Sequence, residues 1–312
     1  MLTCQLCQED REICQSHIIP KFVFDFVRRT SATGYMRMGT EPNRRVQDGR
    51  KRPLLCHGCE QLFSRWEGSF AKYVFHPYNA NTSAVIDYGP WLCKFLVSVS
   101  WRVLLFYKLE GSLDELPTFH RGSIEEALET WREFLLDMRP HPGVFEQHLL
   151  PLDALRSTNV PGMPTNMNRY ILRAVDMDIV LGERTIAVYW KLPRFVVLGL
   201  VVNTEPRSSW GGTRAAVKRG KISPRSYGFP RTIFKHVMDQ AQKADGISKC
   251  LSSRQQELIS RAMLNDIDRV GGSESTKALI MDIEFFGLAA LDASFVDDGA
   301  PMPYIEAQRD AG

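Results

Sequence analysis

Apolar and polar positions alternate in blocks along this chain, and each block carries the period of one kind of element. Trp91 to Leu109, "WLCKFLVSVSWRVLLFYKL", is apolar on every face, with Pro90 ahead of it; it predicts a buried helix with proline at its first position. In "GCEQLFSRWEGSFAKYVF" the residues Leu62, Phe63, Trp66, Phe70, Tyr73 and Val74 recur at helical spacing and predict an amphipathic helix. In "GSIEEALETWREFLLDM" Ser123 and Glu126 have the spacing of a capping box, and Ala127, Leu128, Trp131, Leu135 and Met138 form the apolar face; "RPHPG" stops the pattern. "RTIAVYWKLPRFVVLGLVV" is β-branched and aromatic on both sides of "KLPR" and predicts a hairpin in a small sheet. Near the end, Ser253 and Gln256 again suggest a capping box. Leu258, Ile259, Met263, Ile267 and Val270 follow on one face until Gly271-Gly272, and "STKALIMDIEFFGLAALDASF" predicts a last helix.

Two stretches near the start read as short strands. "REICQSHIIP" has the β-branched Ile13, Ile18 and Ile19 and is closed by Pro20; "RPLLC" is the second. A basic loop joins them, and a helix follows the second. "NANTSAVIDYGP" is expected as a linker and "NVPGMPTNMNRY" as a further boundary. The division expected is residues 1–78 as an N-terminal module and 79–312 as a larger, mostly helical region with a small sheet, an α+β protein.

Composition narrows the class. The 312 residues are 44% hydrophobic and 24% charged, within the globular range. The first twenty residues have no apolar core of a signal peptide and include Glu9, Asp10, Arg11 and Glu12. Lys94 and Arg102 interrupt the most apolar run and argue against a membrane span. The expectation is a cytoplasmic protein that makes no membrane contact.

The seven cysteines are odd in number, which argues against a disulfide framework. Four of them form two CxxC pairs, Cys4 with Cys7 and Cys56 with Cys59. Two such pairs supply the four thiolates of one tetrahedral Zn2+, so a structural zinc is expected there.

Charge is concentrated in zones that the net value of +3 conceals. Residues 28–52 hold eight Lys or Arg against two acids, Arg44, Arg45, Arg50, Lys51 and Arg52 among them. Residues 206–235 hold eight more and no acid, including Arg214, Lys218, Arg219, Lys221 and Arg225, with Trp210, Tyr227, Phe229 and Phe234 between them. Basic residues interleaved with aromatics suit contact with phosphates and bases, so nucleic acid, DNA in the first place, is the expected partner. Residues 273–312 are acidic, with eight acids against two bases. A protein partner or a second copy of the chain stays open.

The knuckle Cys4–Cys7, "SHIIP" with His17, and "LLCHGCE" leading into a helix together resemble the zinc-supported HNH nucleases, the treble-clef or ββα-metal group. The resemblance covers about the first 75 residues. It implies that His17 is the general base that activates water. It also implies a divalent ion, Mg2+ or Mn2+, at the scissile phosphate, with Glu60 standing where the family has its last histidine. Ser16 takes the place of the usual acidic or histidine ligand, and Asn43 lies farther back than the usual asparagine. Metal-dependent cleavage of nucleic-acid phosphodiesters follows as an expectation, with bacterial restriction or phage defence as the setting the resemblance implies. The alternative is a zinc-stabilised binding or partner-docking protein whose HNH site no longer cleaves.

Overall fold

The computed structural model describes residues 2–223 and 226–291. Within them helices and strands are mixed, and every strand pair is antiparallel. The chain starts with β1 (Leu2–Thr3), β2 (Asp10–Arg11), β3 (Ile13–His17) and α1 (Lys21–Arg29). Then come β4 (Met36–Met38), β5 (Glu41–Val46) and β6 (Lys51–Cys56), so the segment expected as one basic loop contains strands. α2 (His57–Phe70) runs through a wide helical turn at Ala71–Phe75 into α3 (His76–Ala80). β7 (Ile86–Tyr88), α4 (Pro90–Leu109) and α5 (Thr118–Leu135) follow. The remaining strands are β8 (Gln147–Pro151), β9 (Asp176–Leu181), β10 (Thr185–Leu192), β11 (Phe195–Asn203) and β12 (Gly220–Ile222), with α6 (Met167–Arg173) between β8 and β9. Four α-helices follow, α7 (Arg231–Lys249), α8 (Ser253–Leu264), α9 (Ile267–Gly272) and α10 (Glu274–Phe286), and a 3-10 helix at Gly287–Leu291 ends the described chain.

Two compact units are interleaved in sequence. The first is Met1–Val23, Gly49–Leu152 and Val175–Ile233; the second is Phe24–Asp48, Asp153–Ala174 and Phe234–Gly312.

The first unit is built on α4 and a four-stranded sheet in the order β8-β11-β10-β9. Fourteen of the twenty residues of α4 are buried, which is why the helix lacks a polar face. The cations in that apolar run are paired. Arg102 is buried against Glu67, and Lys94 Nζ reaches Asp137 at 2.7 Å. Among the described residues no helix is long and apolar enough to cross a membrane. The expected hairpin forms as β10 and β11, whose strands meet at Leu192 and Phe195. Pro193 and Arg194 make its turn, and Arg194 takes a φ of 64°, the left-handed conformation that a type II turn requires after proline. A polar thread crosses the helix–sheet interface: Trp190 Nε1 donates to Ser100 Oγ at 2.9 Å, and Ser100 donates to Gln147 at 2.7 Å. A Cβ at Gly199 would lie 2.8 Å from Ser100 Oγ, so only glycine allows this approach. The expected linker before α4 contains β7, which pairs with β12.

The second unit contains the β4–β5 hairpin, α6 and the C-terminal helices. Asp282 of α10 is fully buried and accepts hydrogen bonds from the backbone N–H groups of Asn168 and Arg169 at 2.7 and 3.1 Å and from Arg169 Nε at 2.8 Å. It thereby satisfies the open N–H groups at the start of α6.

Several expected boundaries shift for local reasons. α5 starts at Thr118 rather than near Ser123, whose hydroxyl donates to Phe119 O at 3.2 Å and caps nothing; Met138 lies beyond the helix and is exposed. The helix expected from Ser253 to Val270 is broken in two. Asp266 accepts from Arg269 N at 3.1 Å and starts α9 afresh, and neither α8 nor α9 buries a residue. The acidic residues beyond 291 lie outside the described chain.

Candidate metal centre

Cys4 and Cys7 sit in the turn that joins β1 to β2, where Gln8 N donates to Cys4 O at 2.9 Å. Gln8 adopts a φ of 61° to close that turn. Cys56 ends β6 and Cys59 lies in the first turn of α2. The knuckle is fastened to this second pair by Gln5 N donating to Leu54 O at 2.9 Å, and to α5 by Arg132 donating to Leu6 O at 3.3 Å. The four sulfurs consequently lie within 4.8 Å of one another.

The fit to zinc can be judged from these positions. Sulfurs about 2.3 Å from a tetrahedral ion are about 3.8 Å apart. Cys7 Sγ and Cys56 Sγ are 3.9 Å apart, and all four cysteines are free of disulfides. Cys56 N donates to Cys4 Sγ at 3.3 Å, a bond that favours a thiolate. Burial works to raise the Cys4 pKa, but N–H donors from Cys56, Cys7 and Leu6 outweigh it and bring it down to about 7. Burial pushes Cys7 and Cys59 upward. Such a packed group of sulfurs could hold a zinc ion, whose charge would let all four ionise. His57, between the paired cysteines, is exposed and lies 2.9 Å from Gln61 Nε2, outside the cluster.

β3 and β6, separated in sequence by α1, β4 and β5, form a two-stranded antiparallel sheet that carries Cys56 at one end. The register runs from Ile13 opposite Cys56 to His17 opposite Lys51. It slips between Cys14 and Gln15, so Leu54 is the extra residue next to Pro53, which has no N–H to offer the ladder. Ser16 is fully buried, and its Oγ accepts from Leu55 N of the paired strand at 3.2 Å. The end of β3 is held by Arg102, which donates to His17 O at 2.8 Å, to Ser98 O at 3.2 Å and to Glu67 Oε1 at 2.7 Å. Its guanidinium also lies over the Phe63 ring at 5.2 Å. Glu60 is in the first turn of α2, and its Oε1 is buried with no hydrogen-bond partner among the described residues. Cys14 lies within its field: burial raises the Cys14 pKa, and the charge of Glu60 adds to the rise. Among the described residues, the four cysteines are the group of three or more His, Cys, Asp or Glu side chains whose ligand atoms converge.

The structure separates the basic residues singled out in the sequence. Arg44 and Arg45 belong to the second unit; Arg50, Lys51 and Arg52 belong to the first. Arg44 pairs with Glu41 at 3.0 Å, and Arg45 lies over Tyr35. Arg52 pairs with Glu110, and both Arg50 and Arg52 lie over Phe106. Arg214 pairs with Glu146 at 2.9 Å, and Lys221 with Asp87 at 3.5 Å. Exposed pairs of this kind contribute up to about 1 kcal/mol. Lys218 and Arg219 are exposed, and Arg225 lies outside the described residues. Arg214 and Lys221, with Tyr88 and Tyr227, line a cleft of about 270 Å³ beside the start of α4. Asn43 belongs to the second unit and is spent there, donating to Cys250 O and accepting from Ser252 N.

Sequence reasoning missed the part played by Arg102, a charge in an apolar run whose meaning depends on which carbonyl and carboxylate it meets. It also missed His148, buried beside Trp210 and 2.8 Å from Thr213 Oγ1. Burial, helped by the charge of Arg214, lowers its pKa to about 4 and keeps it neutral.

No protein-family model matches the sequence, and neither a curated protein nor a solved structure is significantly similar to it.

Proposed function

We propose that this chain is a zinc-stabilised endonuclease of the HNH type, in which Cys4, Cys7, Cys56 and Cys59 hold the structural ion and His17 is the general base. The observation that carries the reading is the antiparallel β3–β6 pair followed by α2, with the cysteine cluster at one end of the pair, His17 at the other and Glu60 on the helix. We read this arrangement as a ββα module, in which a histidine at a strand end can take a proton from water. Glu60 is the residue suited to a catalytic divalent ion, because a buried carboxylate oxygen without a hydrogen bond gains most from a cation. When bound, that ion would stabilise charge on the phosphate. Arg102 positions the base: it fixes the carbonyl of His17 and ties it to α2 through Glu67.

A second reading is favoured by Ser16, whose hydroxyl is committed to Leu55 N where a metal-binding side chain would be needed. In that reading the module binds nucleic acid without cleaving it. The experiment that separates the two is cleavage of supercoiled plasmid and of labelled oligonucleotides with magnesium or manganese. The nuclease reading expects slow cleavage with magnesium and faster cleavage with manganese, which tolerates an imperfect ligand set. His17→Ala should abolish this cleavage while leaving nucleic-acid binding and bound zinc intact. Equal cleavage by wild type and His17→Ala under every divalent ion would end the nuclease reading.

A further inference from the structure

Arg37 on β4 and Arg45 on β5 are direct cross-strand partners in the second unit. Like charges in that relation repel. Neither guanidinium is neutralised by an acid in the ion pairs of the described residues. Arg37 donates instead to two neutral oxygens, Pro42 O at 3.3 Å and Gln255 Oε1 at 3.0 Å. The Arg45 guanidinium carbon is 4.2 Å above the centre of the Tyr35 ring, and its Nε is buried with no hydrogen-bond partner among the described residues. Arg44 is turned away to Glu41, so the only carboxylate given to this hairpin is already engaged. Burial lowers the pKa of Arg37, and the charge of Arg45 lowers it further.

A buried donor without an acceptor and an unrelieved pair of cations have one common remedy, an oxyanion. We propose that the β4–β5 hairpin is a phosphate-binding site in which Arg37 and Arg45 share one phosphate group and the Tyr35 ring backs the Arg45 guanidinium. The planar fork of arginine suits such bridging. Tyr35 is partly exposed and offers a face on which an adjoining base can stack. That the phosphate belongs to a nucleic acid rests on the function proposed above; free phosphate has the same chemistry at this site.

The test uses the full-length protein in phosphate-free buffer at low salt, with two probes. Inorganic phosphate is titrated while the thermal midpoint is followed, against chloride at matched ionic strength. A fluorescent oligonucleotide is titrated while its anisotropy is followed. Wild type should gain thermal stability with phosphate beyond the chloride control. Arg45→Met should lose that gain, and without phosphate its midpoint should equal or exceed that of wild type, because the repulsion is gone. The same substitution should weaken oligonucleotide binding about tenfold or more, and Arg45→Lys should restore part of it. A phosphate gain that survives in Arg45→Met would overturn the site. So would a lower midpoint of Arg45→Met in phosphate-free buffer with no change in either binding, which would make Arg45 a structural partner of Tyr35. A gain with phosphate but an unchanged oligonucleotide affinity would overturn nucleic acid as the source and leave free phosphate as the ligand. His17→Ala is carried alongside, so that loss of cleavage and loss of phosphate binding are read separately.

Discussion

The two units bury opposite charges, and they use them differently. In the first, the buried ions are the cations Arg102 and Lys191; Arg102 is 1% exposed and draws on β3, α2 and α4 for its partners. In the second the buried ion is an anion: Asp282 is fully buried and serves α6, while its counter-ion Arg169 keeps a side chain 30% exposed. Arg102 joins three elements that are remote in sequence, and one of them ends at His17. Asp282 joins two helices and replaces a missing cap. The comparison teaches that a buried charge matters less for its sign than for what would be left unpaired without it. Removing Arg102 strands Glu67 and a strand-end carbonyl. Removing the charge of Asp282 frees an arginine that can turn to water.

The comparison breaks most visibly at Arg102. Arg102→Met keeps the bulk of the side chain but leaves Glu67 without its partner, and should lower stability by about 3–5 kcal/mol. Chemical denaturation measures this. Asp282→Asn should lose less, about 1–3 kcal/mol, because the amide oxygen keeps one of the two α6 backbone donors while its NH2 faces the other. Burial already raises the Asp282 pKa despite Arg169 and the backbone donors, so its charge is no net gain to the fold. Losses of equal size in the two variants would refute the distinction.

A further buried ionisable group, in the first unit, sharpens it. His148 is held neutral with a pKa of about 4, against the ordinary value of 6.5. Its folded pKa is depressed, so below pH 6.5 the unfolded chain binds the proton more readily than the folded one. Stability is therefore complete above that pH and is lost progressively as pH falls toward 4, by about 2 kcal/mol at pH 5. Glu146 Oε2, 3.7 Å from Nε2, limits the loss. His148→Gln should flatten the profile of denaturation midpoint against pH between 7 and 5. An unchanged slope would assign the acid sensitivity to other groups.

What could be read from the sequence follows from the range of the forces involved. The α4 helix, the β10–β11 hairpin and the cysteine cluster were legible because each depends on local spacing: an all-apolar run after proline, "KLPR" between β-branched runs, and CxxC pairs. The β4–β5 ribbon was not, since "EPNRRV" lacks the alternation of a strand and has a single β-branched residue, Val46. Nor was β7, whose partner β12 lies more than a hundred residues away. The helix broken at Asp266 was read as continuous because its apolar residues keep helical spacing across the break, yet Met263 and Ile267 are exposed. Of the candidate site, the residue types were visible, but not their engagements. Whether Ser16 meets a backbone N–H and Arg102 a carbonyl of β3 depends on the fold around them.

The account rests on a metal at the four cysteines, and metal analysis of protein purified without chelator, joined to X-ray absorption at the zinc edge, tests this most directly. One equivalent of zinc per chain, coordinated by four sulfurs at about 2.3 Å, is the result expected. Less than about half an equivalent, or a first coordination sphere with nitrogen or oxygen in place of sulfur, would contradict the closed cysteine centre that joins the β1–β2 turn, β6 and α2.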